Sequence, residues 1–245
     1  MELMKRYPDR YFHIAFPDPE YGIKASRPSK KPNKVKQKNG RVSNVKHVLY
    51  KHKDWDDKPA DSKFGNEIFR VSQNQCIWGA NYFDWCVGKP FKTPRRNEYE
   101  EFIKNNPNGW IIWDKVNGDS DQSDCELLKT SFNFGTVIIK FMWAGMRQGS
   151  ISDGGTMEGN KKLNEKRFHP CHKPVRIYDL IFSFLESKGF IPKQTIVLET
   201  NLGAGSIALS CYNNNIDLVA CDIESEYVDI SKERLNIHQM QQSLF

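Results

Sequence analysis

The stretch that most restricts the fold lies near the C-terminal end. Residues 196–206 read IVLETNLGAGS, an apolar run that breaks into a glycine turn, and the residues up to 213 then continue with helical character. A second apolar run over 216–222 closes on Asp222. Strand, glycine loop, helix, strand and acid in that order form one βαβ unit of an open α/β sheet. Gly203 and Gly205 stand where the strand turns into the helix, and there a missing Cβ lets the backbone approach a ligand. Asp222 is placed to accept hydrogen bonds from both hydroxyls of a ribose. Only one G-x-G pair is present, and no nearby lysine offers a phosphate anchor. A ligand with a ribose but no phosphate, such as S-adenosyl-L-methionine, fits this unit better than a dinucleotide does.

The rest of the 245-residue chain continues the alternation. Apolar runs predict strands over 11–16, 75–78, 110–113, 136–142, 195–199 and 216–222. Helices are expected over 64–71, 97–105, 175–188, 205–213 and 225–237. The helix over 175–188 carries Ile177, Leu180, Ile181, Phe184 and Leu185 at helical spacing and stops at Gly189. Strands alternating with helices predict an α/β fold with a mainly parallel sheet, in one domain spanning 1–245. Residues 149–160, with Gly154, Gly155 and Gly159, read as a connector.

No apolar run approaches the ~20 residues of a membrane span. The opening MELMKRYPDR has no apolar signal core, and the six cysteines show no C-x-x-C spacing. These features predict a cytoplasmic protein with unpaired thiols, no metal site and no membrane partner.

Positive charge is concentrated in one place. Residues 24–53 hold eleven Lys or Arg and no acid, so with a whole-chain charge of +6 everything else sums to −5. The segment also holds Pro28, Pro32, Asn33, Asn39 and Gly40 and lacks apolar periodicity. It reads as a basic, flexible insertion over 24–63 that meets phosphates, with Lys30, Lys31, Lys34, Lys36, Lys38 and Arg41 as contacts. A solvated loop without a partner is the plainer alternative.

Several landmarks outside these patterns share one resemblance. Asp18-Pro19-Glu20-Tyr21 follows the first strand; residues 74–83 read NQCIWGANYF, residues 109–115 GWIIWDK and residues 123–127 SDCEL; residues 168–174 read FHPCHKP. Together they resemble the bacterial and phage DNA amino-methyltransferases with D-P-P-Y or N-P-P-Y motifs. The segment over 168–174 resembles the family's H-P-T-Q-K-P segment, and in a phage-type subgroup the three before it correspond to N-Q-I-I-W-G-G-N-Y-F, W-I-x-W-D-K and D-C-E-L. The landmarks run along nearly the whole chain in the family's order, with the target-base motif before the cofactor motif.

The resemblance implies a Rossmann-like, S-adenosylmethionine-dependent methyltransferase fold with circularly permuted motif order, and double-stranded DNA as partner in a bacterial or phage-infected cell. Asp18 would accept from the target amine with its side chain, Pro19 with its carbonyl, and Tyr21 would stack on the flipped base. An Asp-led motif points to N6 of adenine, whereas N4 of cytosine is more often served by Ser. Glu199, Asn201, Gly203, Gly205 and Asp222 would hold the cofactor, with Lys173 and Pro174 covering its methionine end. The strands ending at Phe16 and Glu199 should then lie side by side.

Residues 141–167 are the expected target-recognition segment, with Trp143, Met146, Arg147, Gln148, Lys161, Lys162, Lys166 and Arg167 available for contact. Trp113 and Asp114 either border the base pocket or pack in the core. The chain departs from the family at Cys171, at His172, at Glu199 in place of Asp, and at Glu20 in place of the second proline. Glu20 loses a rigid φ and adds negative charge beside the reacting amine. The family also places a strand with an adenine-bordering acid before the segment matched by MELMKRYPDR. A non-catalytic DNA- or cofactor-binding relative, or an RNA methyltransferase, are the alternatives.

Overall fold

The computed structural model describes residues 1–23, 34–36, 42–44, 56–117, 123–144, 147–149, 165–168 and 171–242. Its strands are β1 (Phe12–Ala15), β2 (Lys34–Lys36), β3 (Val42–Asn44), β4 (Ser72–Trp78), β5 (Trp110–Asp114), β6 (Cys125–Thr130), β7 (Val137–Lys140), β8 (Met142–Ala144), β9 (Arg147–Gly149), β10 (Ile196–Glu199) and β11 (Asp217–Ala220). The helices are α1 (Ser62–Val71), α2 (Asp84–Val87), α3 (Tyr99–Asn105), α4 (Val175–Ser187), α5 (Ser206–Asn213) and α6 (Ser225–Gln242).

Among the described residues, seven strands form one sheet in the order β11-β10-β1-β4-β6-β5-β7. β1 lies between β10 and β4 and is parallel to both, and β10 is parallel to β11. β6 runs antiparallel to its neighbours β4 and β5, and β7 is again parallel to β5. The mainly parallel α/β architecture expected from the alternation is therefore present, and the strands ending near Phe16 and Glu199 are neighbours. Ile14 is in register with Val197, Phe16 N donates to the Leu198 carbonyl at 2.8 Å, and Ile196 N donates to Nδ1 of His13 at 3.0 Å.

Both faces of the sheet are covered. Ile14, Phe16, Trp78, Trp113 and Val197 pack beneath Tyr178, Ile181, Phe182 and Leu185 of α4 and Ile207 and Cys211 of α5. On the other face Ala15 and Leu198 meet Met4, Ile68 and Val71, while Ile77, Trp110, Ile112 and Leu127 meet Phe83, Tyr99 and Phe102. Strands buried on both sides have no solvent face to mark with polar residues, which is why they read as unbroken apolar runs.

β6 is an addition to the sequence reading. CELLKT carries neither a strict two-residue alternation nor a long apolar run, so its type is fixed by pairing with β4 and β5. The run over 136–142 divides into β7 and β8, the latter paired with β9 in a separate antiparallel ribbon. Within the basic insertion, β2 and β3 pair antiparallel and place Lys34 and Lys36 on a strand. Lys30, Lys31, Lys38 and Arg41 lie outside the described residues, as do Met146, Lys161 and Lys162. Asp61 caps α1 by accepting from Phe64 N at 3.0 Å, so residues 62 and 63 of the expected insertion lie in that helix. No described helix is long and apolar enough to cross a membrane.

Candidate active site

Parallel strands that end together leave a crevice beyond their carboxyl ends. β1 and β10 do this, and the loops that follow them, around 18–23 and 200–204, line one cavity of about 700 Å³. Asp18, Pro19 and Tyr21 border it from one loop, Asn201 and Gly203 from the other, and Asp222 from the end of β11. Met1, Leu3 and Arg6 of the N-terminal segment also contribute to its wall, as do Tyr178 and Tyr227.

The Asp18 loop after β1 is tightly held. Tyr21 donates from its hydroxyl to Oδ1 of Asp18 at 2.6 Å and stacks on Tyr82, with ring centroids 5.0 Å apart and planes 13° from parallel. Gly79 makes this possible: its φ is +62°, and a Cβ there would run into the Tyr21 ring. The ammonium of Lys173 is paired with Oδ2 of Asp18 and lies 3.2 Å from Oε2 of Glu126, whose Oε1 is 2.7 Å from Nζ of Lys115. Lys173 also sits over the Trp78 ring at 4.9 Å.

Four alternating charges thus run from Lys115 through Glu126 and Lys173 to Asp18. Burial opposes ionisation of Glu126, yet the two lysines bring its pKa down to about 2. Burial raises the pKa of Asp18 against the pull of Lys173, and the Glu126 charge adds to the rise. Burial likewise disfavours the charged Lys173, but Asp18 and Glu126 outweigh it and leave its pKa raised. Lys173, expected beside the cofactor, is therefore also the partner of Asp18. Glu126 and Lys115 were visible in the sequence only as landmarks, since nothing local signals a partner so distant.

The loop after β10 is organised by carboxylates acting on the backbone. Asp222 accepts from Gly203 N at 2.7 Å and from Glu224 N at 2.9 Å, one bond to each oxygen. Gly203 has φ +53° with nothing nearer than 4.0 Å to a built Cβ, so an open backbone faces outward there. Gly205 has a different reason for being glycine. At φ +77° its Cβ would collide with Ser231, so the residue permits the close approach of α6 and does not itself line the cavity. Glu199 is not on the cavity wall either: it is 1% exposed and accepts from Asn201 N at 2.8 Å. Burial pushes its pKa up to about 8, and the backbone amides of Asn201 and Asp18 oppose that rise. Pro174 stands next to the wall as the residue preceding α4.

Glu20, whose charge was expected beside the Asp18 and Pro19 acceptors, has a partner on the opposite loop. Its Oε1 accepts from Nδ2 of Asn201 at 3.1 Å, across the cavity from its own loop. Trp113 and Asp114 belong to the interior. The Trp113 indole donates to the Phe141 carbonyl at 3.0 Å, and Asp114 is held by Arg96 through two bonds of 2.7 and 3.1 Å.

The described parts of 141–167, residues 141–144, 147–149 and 165–167, are tied to the same region. Trp143 donates from its indole to the His172 carbonyl at 3.1 Å, and Gln148 exchanges two bonds with the Glu165 backbone. The Glu165 carboxylate then meets His172 Nε2 at 2.9 Å, Arg234 at 2.8 Å and Val175 N at 2.9 Å. Arg167 lies over the Trp143 ring, and Lys166 is exposed with its ammonium 4.9 Å from the Phe168 ring. Arg147 is on β9. Among the described residues no group of His, Cys, Asp and Glu could hold a metal ion.

Comparison with known proteins adds the following. No family model matches the chain. The chain is 26% identical over 146 residues to the Type II methyltransferase M.HpaI of Haemophilus parainfluenzae, covering 53% of this chain. It spans 45% of that relative's length. Among solved structures it is similar to the M1.HpyAVI–SAM complex, with a TM-score of 0.44 at 16% identity over 96% of this chain and 95% of the other. It is also similar to the cytosine-N4-specific PvuII DNA methyltransferase, with a TM-score of 0.45 at 13% identity over 94% and 82%.

Proposed function

We propose that this chain, which resembles the DNA amino-methyltransferases, is an S-adenosyl-L-methionine-dependent methyltransferase acting on an exocyclic amine of a DNA base, N6 of adenine. The observation that carries this reading is the meeting of two loops at one cavity: Asp18-Pro19-Glu20-Tyr21 after β1, and Asn201 to Gly203 after β10, with Asp222 beside them. The likeness to a Type II methyltransferase from Haemophilus parainfluenzae supports it.

The residues present suit the cofactor. A volume of about 700 Å³ lies in the range of small-molecule sites, roughly 300–1,000 Å³. Asp222, on the cavity wall at the end of β11, is the acceptor this reading assigns to the ribose hydroxyls. Leu202, Ile223 and Tyr227 supply apolar and aromatic wall for a purine. When bound, S-adenosyl-L-methionine supplies an electrophilic methyl group on a cationic sulfur.

The chain's part is to prepare the amine. The lone pair of an aromatic amine is delocalised into its ring. Acceptance of its hydrogens by Asp18 and by the Pro19 carbonyl favours electron density on nitrogen. Tyr21, fixed between Tyr82 and the Asp18 carboxylate, offers its ring to a base taken out of the duplex. Alignment of the two reactants provides most of the rate. The proton released from nitrogen has Asp18 as its nearest acceptor. The basic segment over 24–63 and the residues over 141–167, Arg147 and Lys166 among them, are assigned to phosphate contact and target recognition.

Incubation of the purified chain with unmethylated double-stranded DNA and S-adenosyl-L-methionine, followed by nucleoside mass spectrometry, tests the reading. N6-methyladenine that disappears in Asp18→Ala is the expected result. N4-methylcytosine would correct the base, and cofactor binding without any modified base would favour a non-catalytic relative.

A further inference from the structure

We propose that Glu20 is a cofactor-facing carboxylate that favours S-adenosyl-L-methionine, whose sulfur is cationic, over the neutral-sulfur product S-adenosyl-L-homocysteine; this rests on the function proposed above. The two neighbouring acids of the motif point to different places. Asp18 turns to Lys173 and Tyr21, whereas Glu20 reaches the side chain of Asn201, 181 residues away in sequence.

The Glu20–Asn201 hydrogen bond joins the base-side loop to the cofactor-side loop. A methyl group moving from a cofactor held at Gly203 and Asp222 to an amine held at Asp18 and Pro19 has to cross the boundary between those loops. The positive sulfur that carries it must approach the same boundary. The charge arrangement there suits a cation. The negative charge of Asp18 is matched by Lys173, and Asp222 accepts from two backbone amides. The Glu20 carboxylate meets a neutral side-chain amide. Burial raises its pKa, and the nearby carboxylates of Asp18, Asp222 and Asp56 add to the rise. A cation arriving beside Glu20 relieves that crowding of negative charge, while a neutral ligand does not.

The position also accounts for the substitution of the motif's second proline. A proline has no charge to offer the cofactor side. The glutamate places a negative group at the boundary while the residues on either side, Pro19 and Tyr21, remain available to the base.

Calorimetric titration of the full chain and of Glu20→Gln tests this with three ligands: S-adenosyl-L-methionine, sinefungin (which carries an ammonium in place of the sulfonium) and S-adenosyl-L-homocysteine. Gln has the shape of Glu and keeps an oxygen for Asn201, so the loop junction is preserved. The expected result is about tenfold weaker binding of both cationic ligands, the scale of one pKa unit, with S-adenosyl-L-homocysteine affinity within about twofold of the parent. Equal weakening of all three would make Glu20 a support for the Asn201 loop and overturn the proposal, as would no change at all. A parent chain that binds none of the three fails at the earlier step and overturns the cofactor reading itself.

Discussion

Lys173 carries its ammonium to Oδ2 of Asp18 across 155 residues of sequence and shares it with Glu126 on the antiparallel strand β6. The charge that prepares Asp18 is therefore set by a residue two strands away from β1 in the sheet. Lys173→Met leaves two buried carboxylates without their common partner and should cost on the order of 3–5 kcal/mol in urea denaturation. Glu126→Gln is gentler, because Asp18 still pairs with Lys173. It removes a charge that raises the Asp18 pKa. An acceptor carboxylate works when ionised, so activity falls as pH drops through its pKa. The acidic limb of the methyl-transfer profile should move to lower pH in Glu126→Gln. An unmoved limb would show that Glu126 acts only on packing.

Glu199 links stability to pH. Its folded-state pKa of about 8 stands above the ordinary 4.5, so between those values the folded chain holds a proton that the unfolded chain has released. The corresponding stability is complete below pH 4.5 and is lost as pH rises toward 8. At about 1.4 kcal/mol per unit the full loss is on the order of 3–5 kcal/mol. Glu199→Gln should flatten this fall, measured as denaturation midpoints at pH 5 and pH 8.5.

Cofactor binding should respond to Asp222. Asp222→Ala removes the acceptor proposed for the ribose and weakens S-adenosyl-L-methionine binding by about 1–3 kcal/mol. Because Asp222 also orders Gly203 N and Glu224 N, the variant should show faster amide exchange in that loop. Exchange confined to the loop with unchanged affinity would remove Asp222 from the binding role.

Gly205→Ala tests a packing role. The added methyl meets Ser231 on α6, and φ +77° is unfavourable for alanine. A loss of about 1–3 kcal/mol in thermal denaturation is expected, with part of it recovered in Gly205→Ala, Ser231→Gly.

How much of this could be read beforehand depended on whether a residue's neighbours were local. The turn at Gly203, the acid at Asp222 and the Asp18 loop follow strand ends, and strand ends are visible as breaks in apolar runs. Their meeting followed once β1 and β10 were expected as neighbours. The roles of Glu126 and Lys115 were not legible, because each acts through a partner on another strand or segment. Gly205 and Glu199 were expected at the ligand from their position and from the family resemblance. The contact of Gly205 with Ser231 is tertiary and so was not legible, whereas Glu199 accepts from the nearby Asn201 backbone. β6 stayed hidden because its pattern is ambiguous without the strands that flank it.

The place of β1 in the sheet has a consequence for biosynthesis. One of its edges is filled early, by β4, but the other waits for β10, whose first residue follows His13 by 183 positions. At roughly 5–20 residues per second, a ribosome needs on the order of 10–40 s to supply that partner. Throughout this interval an apolar strand keeps an unpaired edge, the kind of surface that recruits other chains. Yield of native protein should therefore depend on translation speed and on holding chaperones.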